Sequence, residues 1–459
     1  MIHSYKMNGY YIIIDVNSGC VHSVDEVAYD IINMFCEKSK DEIKKIILEK
    51  YAGRDDVTPE DIDDCFCDIE QLKKEGRLFS DDEFELLAGD FKKKQGVLKA
   101  LCLNVAHTCN LACKYCFAGK GEYNEEKCAL MPLEVGKRAL DFLVENSGTR
   151  HNLEVDFFGG EPLLNWDVCK ELVKYGRSLE KEHNKNFRFT LTTNGVLVND
   201  EVIDFCNKEM GNVVLSLDGR KEVHDRLRLT RGGAGSYDLI LPKFQKFVKA
   251  RAGKEYYIRG TYTHYNTDFS KDIISMADAG FSELSIEPVV ASPSEPYALT
   301  ESDIPVLLNE YEVLANEMLK RQKSGRCFTF YHYMIDLDRG PCIIKRISGC
   351  GVGTEYMAVT PSGDLYPCHQ FVGDDKFLLG NVYDGVKNAE VLEDFEKCNV
   401  YSHEECKNCF AKLYCSGGCA ANAYHTTGSV NGVYENGCAL HKKRIECAIM
   451  LKVAQAQNE

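Results

Sequence analysis

LKALCLNVAHTCNLACKYCFAGK, Leu98–Lys120, joins an apolar run to three cysteines. The first eight residues read as a buried strand, short and rich in Leu and Val. Cys109, Cys113 and Cys116 follow at the spacing C-x3-C-x2-C. Three soft ligands this close suit a metal. Structural zinc takes four closed ligands, usually from two pairs. No second pair lies nearby, and His107 is the only close imidazole. An iron–sulfur cube fits better: three irons take thiolates and the fourth keeps a place for an outside ligand.

Outward from this stretch, strands and helices alternate to about residue 290. The strand candidates are LKALCLNV, NLEVDFF, FRFTLTT, NVVLSL, YYIRGTYT and ELSIEPV. Helical patterns such as PLEVGKRALDFLVEN and WDVCKELVKYGRSLEKEH lie between them. Six such units in succession predict a parallel sheet with barrel-like closure, an α/β fold. In such folds the site collects at the C-terminal ends of the strands. The cysteine triple follows the first strand. Gly159-Gly160-Glu161-Pro162 follows the second, Thr193-Asn194-Gly195 the third, and Ser216-Leu217-Asp218-Gly219 the fourth. Their common rim argues for one composite site. A further helix is expected near 301–323, and beyond about 340 the regularity fades while cysteines return.

The chain has 459 residues, 22 cysteines and a net charge of -16. That length predicts two to four domains, and acidity disfavours a nucleic-acid binder. No run approaches the ~18 apolar residues of a membrane helix. The N-terminus shows no signal-peptide pattern, so a cytoplasmic location is expected. Disulfides are not expected in that compartment, and closely spaced cysteines there point to metal or redox chemistry.

Residues 1–90 read as a separate small domain. YYIIIDV and GCVHSV are short strands, and two helical patterns follow. In the second, Thr58 is the N-cap, Pro59 the first helical residue and Asp61 the partner of a capping box. Strands plus helices at this size resemble a winged helix. The domain carries 22 Asp and Glu against 10 Lys and Arg, which suits a peptide better than phosphates. Asp81–Gly96, DDEFELLAGDFKKKQG, reads as a linker.

C-x3-C-x2-C after a first strand, with Tyr115 before the last cysteine, resembles the signature of the radical S-adenosylmethionine (SAM) superfamily. The resemblance implies that the cluster's fourth iron takes the amino and carboxylate groups of SAM. It gives Gly159, Gly160 and Glu161 to the methionine amino group, and a carboxylate accepting from an ammonium there is sound chemistry. It also carries Tyr115, Ser216 and Asp218 to SAM binding. His224, Asp225 and Arg228 form an HDxxR pattern, with Arg228 a candidate for the SAM carboxylate.

The later cysteines resemble the SPASM extension of peptide-modifying radical SAM enzymes. Cys350 and Cys368 flank Gly363; Cys406, Cys409, Cys415 and Cys419 give C-x2-C-x5-C-x3-C; Cys438 closes the set. By the family's pairing, Cys406, Cys409, Cys415 and Cys438 hold one auxiliary four-iron cluster, and Cys350, Cys368 and Cys419 hold another. Three such clusters offer twelve iron sites, and ten cysteines match motif positions. SAM takes one of the remaining sites. Cys342 or a substrate thiolate takes the other, and the reading favours the thiolate. The other cysteines, among them Cys65, Cys102 and Cys206, are read as core residues.

The expected architecture is a winged-helix-like precursor recognition element over 1–90, a partial (β/α)6 TIM-like barrel over 97–325 and a SPASM domain over 340–459. This order resembles the maturases of six-cysteine (SCIFF) peptides. The resemblance implies a SAM-derived 5′-deoxyadenosyl radical, hydrogen removal from a peptide carbon, and attack by a peptide thiolate held on the Cys350 cluster to form a thioether. It implies a cysteine-rich precursor peptide captured by strand addition and an external electron donor such as flavodoxin or ferredoxin. No protein acid or base is assigned. Three rivals stand beside it: a sulfatase-maturing type of radical enzyme, an iron–sulfur electron carrier, and a redox-sensing DNA-binding regulator.

Overall fold

β1 (Ile2–Met7), β2 (Tyr10–Asp15) and β3 (Val21–Val24) form an antiparallel sheet in that order. The structure, a computed structural model, describes residues 1–88, 97–123, 129–337 and 343–457. Strand alternation sends neighbouring side chains to opposite faces. In β2, Ile13 therefore enters a core with the helices that follow, while Ile12 and Ile14 face the rest of the protein. Those helices number three rather than the two expected: α1 (Glu26–Met34), α2 (Lys40–Lys50) and α3 (Pro59–Lys74). Ser39 separates the first two by opening a capping box with Glu42. The Thr58–Asp61 box forms as expected. β1 was not anticipated, because IHSYKM mixes polar and apolar residues and is held by its pairing with β2.

The expected linker is docked over its described half. Asp82 accepts from Lys412 Nζ at 2.6 Å and Tyr401 Oη at 3.0 Å. Ala88 is buried against Ile347 and Val400. Residues 89–96 lie outside the described set.

The six expected strands all form: β4 (Ala100–His107), β6 (Asn152–Gly159), β7 (Asn186–Thr193), β8 (Met210–Ser216), β9 (Tyr257–Tyr262) and β10 (Glu283–Pro288). Each pairs in parallel with the next. The short β5 (Ala129–Leu130) pairs antiparallel with β4. Helices alternate with the strands: α4 (Leu133–Glu145), α5 (Trp166–His183), α6 (Asp200–Glu209), α7 (Lys221–Leu227), α8 (Tyr237–Arg251) and α9 (Phe269–Asp278). α10 (Ile304–Lys323) leads onward to β11 (Thr329–Phe330) beside β10. The outward row of β6, Leu153, Val155 and Phe157, is fully buried in the core shared with the helices. The opposite row, with Asp156 and Phe158, turns away from the helices.

The sheet does not close on itself. Its β4 edge is covered by β12 (Tyr356–Val359), which pairs in parallel with β4 and continues into antiparallel β13 (Asp364–Tyr366), β14 (Gly380–Asn381) and β15 (Gly385–Val386). The cysteine-rich C-terminal part is therefore joined to the barrel through one continuous sheet. It is also more regular than expected: a long helix, α16 (Glu435–Ala456), packs along α10. Five shorter helices complete it: α11 (Ile343–Ser348), α12 (Ala389–Lys397), α13 (Glu404–Lys407), α14 (Lys412–Cys415) and α15 (Ala420–Thr427). Among the described residues no helix is long and apolar enough to cross a membrane.

Candidate functional site

Two backbone loops meet where β4 and β6 end. The amide of Gly160 donates to the Ala106 carbonyl at 2.7 Å, and that of Glu161 to Thr108 at 3.0 Å. Only glycine fits this approach: a Cβ on Gly160 would lie 2.0 Å from the Thr108 carbonyl oxygen. Gly159 adopts φ +116°, and a Cβ there would lie 2.4 Å from the Ala106 oxygen. The Gly-Gly-Glu-Pro loop is thereby locked against the start of the cysteine loop.

Glu161 is buried and fully engaged. Its Oε1 accepts from Thr193 Oγ1 at 2.7 Å and from the Leu163 amide at 3.1 Å, and its Oε2 from the Asn194 amide at 2.8 Å. Burial still pushes its pKa up to about 7. A buried acceptor of this kind gains from an incoming cation. Asn194 also donates to Asn110 Oδ1 at 2.7 Å and reaches Cys109 Sγ at 3.5 Å. The third rim motif therefore touches both the carboxylate and the cysteines.

Asp218, at the fourth strand, is occupied by the protein itself. Its Oδ2 accepts from Tyr115 Oη at 2.6 Å and Arg228 Nε at 3.0 Å, and its Oδ1 from the Thr261 amide at 3.0 Å. Its own amide donates to His224 Nδ1 at 3.3 Å. Asp218 thus ties Tyr115 of the cysteine loop to Arg228; Arg228 lies near enough to Cys113 to draw its pKa down against burial. Ser216 ends β8, half-buried, on the same row. The Nε2 of the same His224 ring meets Ser236 Oγ at 2.9 Å.

Arg231 was not singled out from the sequence. Its Nε donates to the Cys109 carbonyl at 2.9 Å and its Nη2 to that of Lys120 at 3.3 Å. The amides of Ala112 and Lys114 donate to Leu229 and Leu227, so residues 227–231 pin the cysteine loop. Its Nη1 also pairs with Glu122 Oε1 at 3.5 Å, and an arginine held by carbonyls and one exposed carboxylate leaves no motif to read. His107 is fully buried, stacks on Tyr123 with centroids 4.6 Å apart, and approaches Asn104 at 3.4 Å. It belongs to the core and not to a metal set.

The ten motif cysteines fall into three neighbourhoods. Beyond burial, Cys113 and Cys116 raise the pKa of Cys109, Cys116 raises that of Cys113, and Cys419 and Cys350 raise that of Cys368. Cys406, Cys409, Cys415 and Cys438 form the third set. Cys342 lies outside the described residues. Burial pushes Cys109 up to about 12, Cys113 to about 11 and Cys415 to about 12. Thiols this costly to ionise become thiolates where a metal withdraws their charge. Among the described residues no three His, Cys, Asp or Glu side chains converge on a single-ion site. Cys102 and Cys206 are buried and Cys65 half-buried, as core residues should be.

The first two cysteine sets face each other through aromatic rings. His369, next to Cys368, lies 5.5 Å from the Phe117 ring, next to Cys116, and 4.8 Å from Phe158 on β6. The inward face of the sheet is thus roofed by the C-terminal part.

Residues 103–270 match the model of the Radical SAM superfamily, and residues 350–410 that of the SPASM iron-sulfur cluster-binding domain. The chain carries a radical SAM domain and a SPASM domain. A cysteine-type anaerobic sulfatase-maturating enzyme of Clostridium novyi is 26% identical over 347 residues, covering 71% of this chain and 88% of its own. The solved structure of anSMEcpe with bound AdoMet and Kp18Cys peptide superposes with a TM-score of 0.64 at 23% identity. That match covers 79% of this chain and 99% of anSMEcpe. Streptococcus suis SuiB bound to S-adenosylmethionine superposes with a TM-score of 0.53 at 18% identity, over 95% of this chain and 98% of its own. This radical SAM/SPASM chain is an enzyme related to the sulfatase maturases, and its two domains imply [4Fe-4S] clusters and SAM as cofactors.

Proposed function

We propose that this radical SAM/SPASM enzyme installs thioether crosslinks, cysteine sulfur to carbon, in a ribosomally made, cysteine-rich precursor peptide. The observation that carries the reading is the facing of two cysteine sets across the roofed sheet. The Cys350, Cys368 and Cys419 set has only three motif cysteines, and it lies against the rings beside Cys116. A peptide thiolate completing that set would stand over the place where hydrogen is removed.

In this reading three [4Fe-4S] clusters are held by Cys109, Cys113 and Cys116; by Cys350, Cys368 and Cys419; and by Cys406, Cys409, Cys415 and Cys438. Bound SAM with its cluster supplies a 5′-deoxyadenosyl radical able to take hydrogen from carbon. Glu161, Gly159 and Gly160 receive the methionine ammonium. Arg228 and Tyr115, both bonded to Asp218, orient the remainder of SAM together with Ser216. Phe117, Phe158 and His369 shield the chamber from bulk solvent and the dissolved hydrogen donors in it, such as thiols, that would quench a radical. Forming each sulfur–carbon bond releases a proton and an electron from the peptide, and an external donor such as flavodoxin or ferredoxin supplies the electron that SAM cleavage consumes. Residues 1–90 act as the recognition element, with a leader strand added to the three-stranded sheet. The fold match to SuiB, a protein also solved bound to precursor peptide SuiA, supports this, since it spans 95% of the chain against 79% for anSMEcpe. The enzyme is placed in the cytoplasm.

A second reading, oxidation of a cysteine or serine side chain, is supported by the sulfatase-maturating relative. The two separate in one experiment. A cysteine-rich peptide encoded beside this gene is incubated anaerobically with enzyme, SAM and reductant, then weighed by mass spectrometry. Loss of two hydrogens per crosslink, with a thiol closed to alkylation, is the expected result. An unchanged peptide while 5′-deoxyadenosine accumulates moves the assignment to the second reading.

A further inference from the structure

Arg259 is an exposed arginine on β9, a strand paired on both sides. It lies on β9 in register with Ser216 of β8 on one side and Ser285 of β10 on the other. It therefore shares the inward row of a proposed SAM contact, under the C-terminal roof. Among the described residues no carboxylate stands within ion-pair distance of its guanidinium.

Its surroundings are built from charged and imidazole groups. Glu287, two residues along β10, accepts from both terminal nitrogens of Arg444 at 3.3 Å. Arg444, on α16, also donates from Nε to Tyr311 Oη at 2.8 Å. His332 meets Ser285 Oγ at 3.2 Å and Glu287 at 3.4 Å. One turn before Arg444, His441 buries its Nε2 without a hydrogen-bond partner. Burial keeps both imidazoles neutral, with His332 lowered to about 3 and His441 to about 4. Two guanidinium groups against one carboxylate leave this wall with one unspent positive charge. Arg444 spends its charge on Glu287, so the surplus belongs to Arg259.

The charge of Arg259 reaches Glu287, His332 and His369. Glu287 in turn acts on Cys419, and His369 follows Cys368. Arg228, by contrast, acts on Cys113. The charge of Arg228 therefore reaches the first cysteine set, and that of Arg259 the residues beside the second. A planar two-pronged guanidinium matches a carboxylate, whereas a thiolate offers it a single atom.

We propose that Arg259 forms a subsite for one carboxylate of the substrate peptide, an acidic side chain close to the cysteine being modified. The subsite rests on the reading of this enzyme as a peptide modifier, and its test does not require crosslinking to occur.

The probes are two peptides, acetyl-Gly-Cys-Gly-Asp-amide and its Asn twin, titrated anaerobically into the iron-loaded, SAM-bound protein. The Asp peptide should bind about tenfold more tightly than the Asn twin, the gain of one charge-assisted contact. In Arg259→Gln the twins should bind alike, and Arg259→Lys should restore part of the difference. SAM affinity and peptide-free formation of 5′-deoxyadenosine should match the wild type in both variants, and unchanged iron content shows that they fold. Equal binding of the twins to the wild type would overturn the subsite. Loss of SAM affinity in Arg259→Gln would overturn it too, giving the residue to the cofactor. Failure of crosslinking alone, with the Asp preference intact, would count against the thioether reading and leave the subsite standing.

Discussion

Arg228 Nε donates to Asp218 Oδ2 at 3.0 Å, and neither side chain is more than 12% exposed. The pair couples the end of β8 to the cysteine loop, because the same Oδ2 also takes the Tyr115 hydroxyl. Removing one member of a buried pair leaves the other charge unmatched, at about 3–5 kcal/mol. Asp218→Ala should lower the melting temperature clearly more than Arg228→Met, which removes the cation and leaves a carboxylate still bonded by Tyr115 and Thr261. Both should weaken SAM binding. Equal melting temperatures for Asp218→Ala and the wild type would show that Asp218 does not organise this corner.

Cys113→Ala tests the first cysteine set. The variant should lose SAM cleavage entirely and about four irons per chain, the content of one cube. Iron analysis and 5′-deoxyadenosine formation are the measurements. Retained cleavage would remove Cys113 from the SAM-cleaving cluster.

Gly160→Ala tests the locked loops. The added methyl would collide with the Thr108 carbonyl, and backbone on both sides leaves it nowhere to go. Overpacking of this kind costs about 1–3 kcal/mol, and it should separate Glu161 from the cysteine loop. SAM affinity is therefore expected to fall along with stability. Gly232→Ala is the control, since its nearest neighbour is Thr230 Oγ1 at 3.9 Å; it should match the wild type by melting and by SAM titration.

The strands of the barrel were legible because each is a short β-rich run bounded by glycine or a helical period, and the rim motifs fall at their ends. The third N-terminal helix was harder to see, since α1 and α2 are parted only by a cap at Ser39. α16 escaped notice for another reason. Leu440, Ile445, Ala448, Ile449 and Leu451 are all buried, so the helix is covered on several faces and shows no single apolar stripe. The pairing of β12 with β4 joins residues 256 positions apart, Tyr356 with Ala100 onward, through four residues, YMAV, and no local pattern announces such a partner. At the site, motif spacing marked Asp218 and Arg228 but could not reveal that they bond to each other. Arg231 and Arg259 belong to no motif, and only their surroundings give them a role.

The strap from the N-terminal part to the C-terminal part gives a prediction in pH. Lys412 is nearly buried, its side chain 3% exposed, and Asp82 is its carboxylate partner. Burial opposes ionisation of Asp82, yet hydrogen bonds from Lys412, the Phe84 amide and Tyr401 hold its pKa below the ordinary carboxylate value. A carboxylate depressed in the folded state adds stability above its unfolded pKa, near 4, and loses it as pH falls through the lower folded value. Wild-type stability should therefore drop on acidification below about pH 4, and Asp82→Asn should show a shallower fall over that window while being less stable at pH 7. Asp82→Ala should cost about 3 kcal/mol at pH 7, the low end for a broken buried pair. Urea unfolding at pH 7 and at about pH 2.5, below the ordinary carboxylate value, measures both terms. Parallel pH profiles for the wild type and Asp82→Asn would show that this carboxylate does not hold the strap.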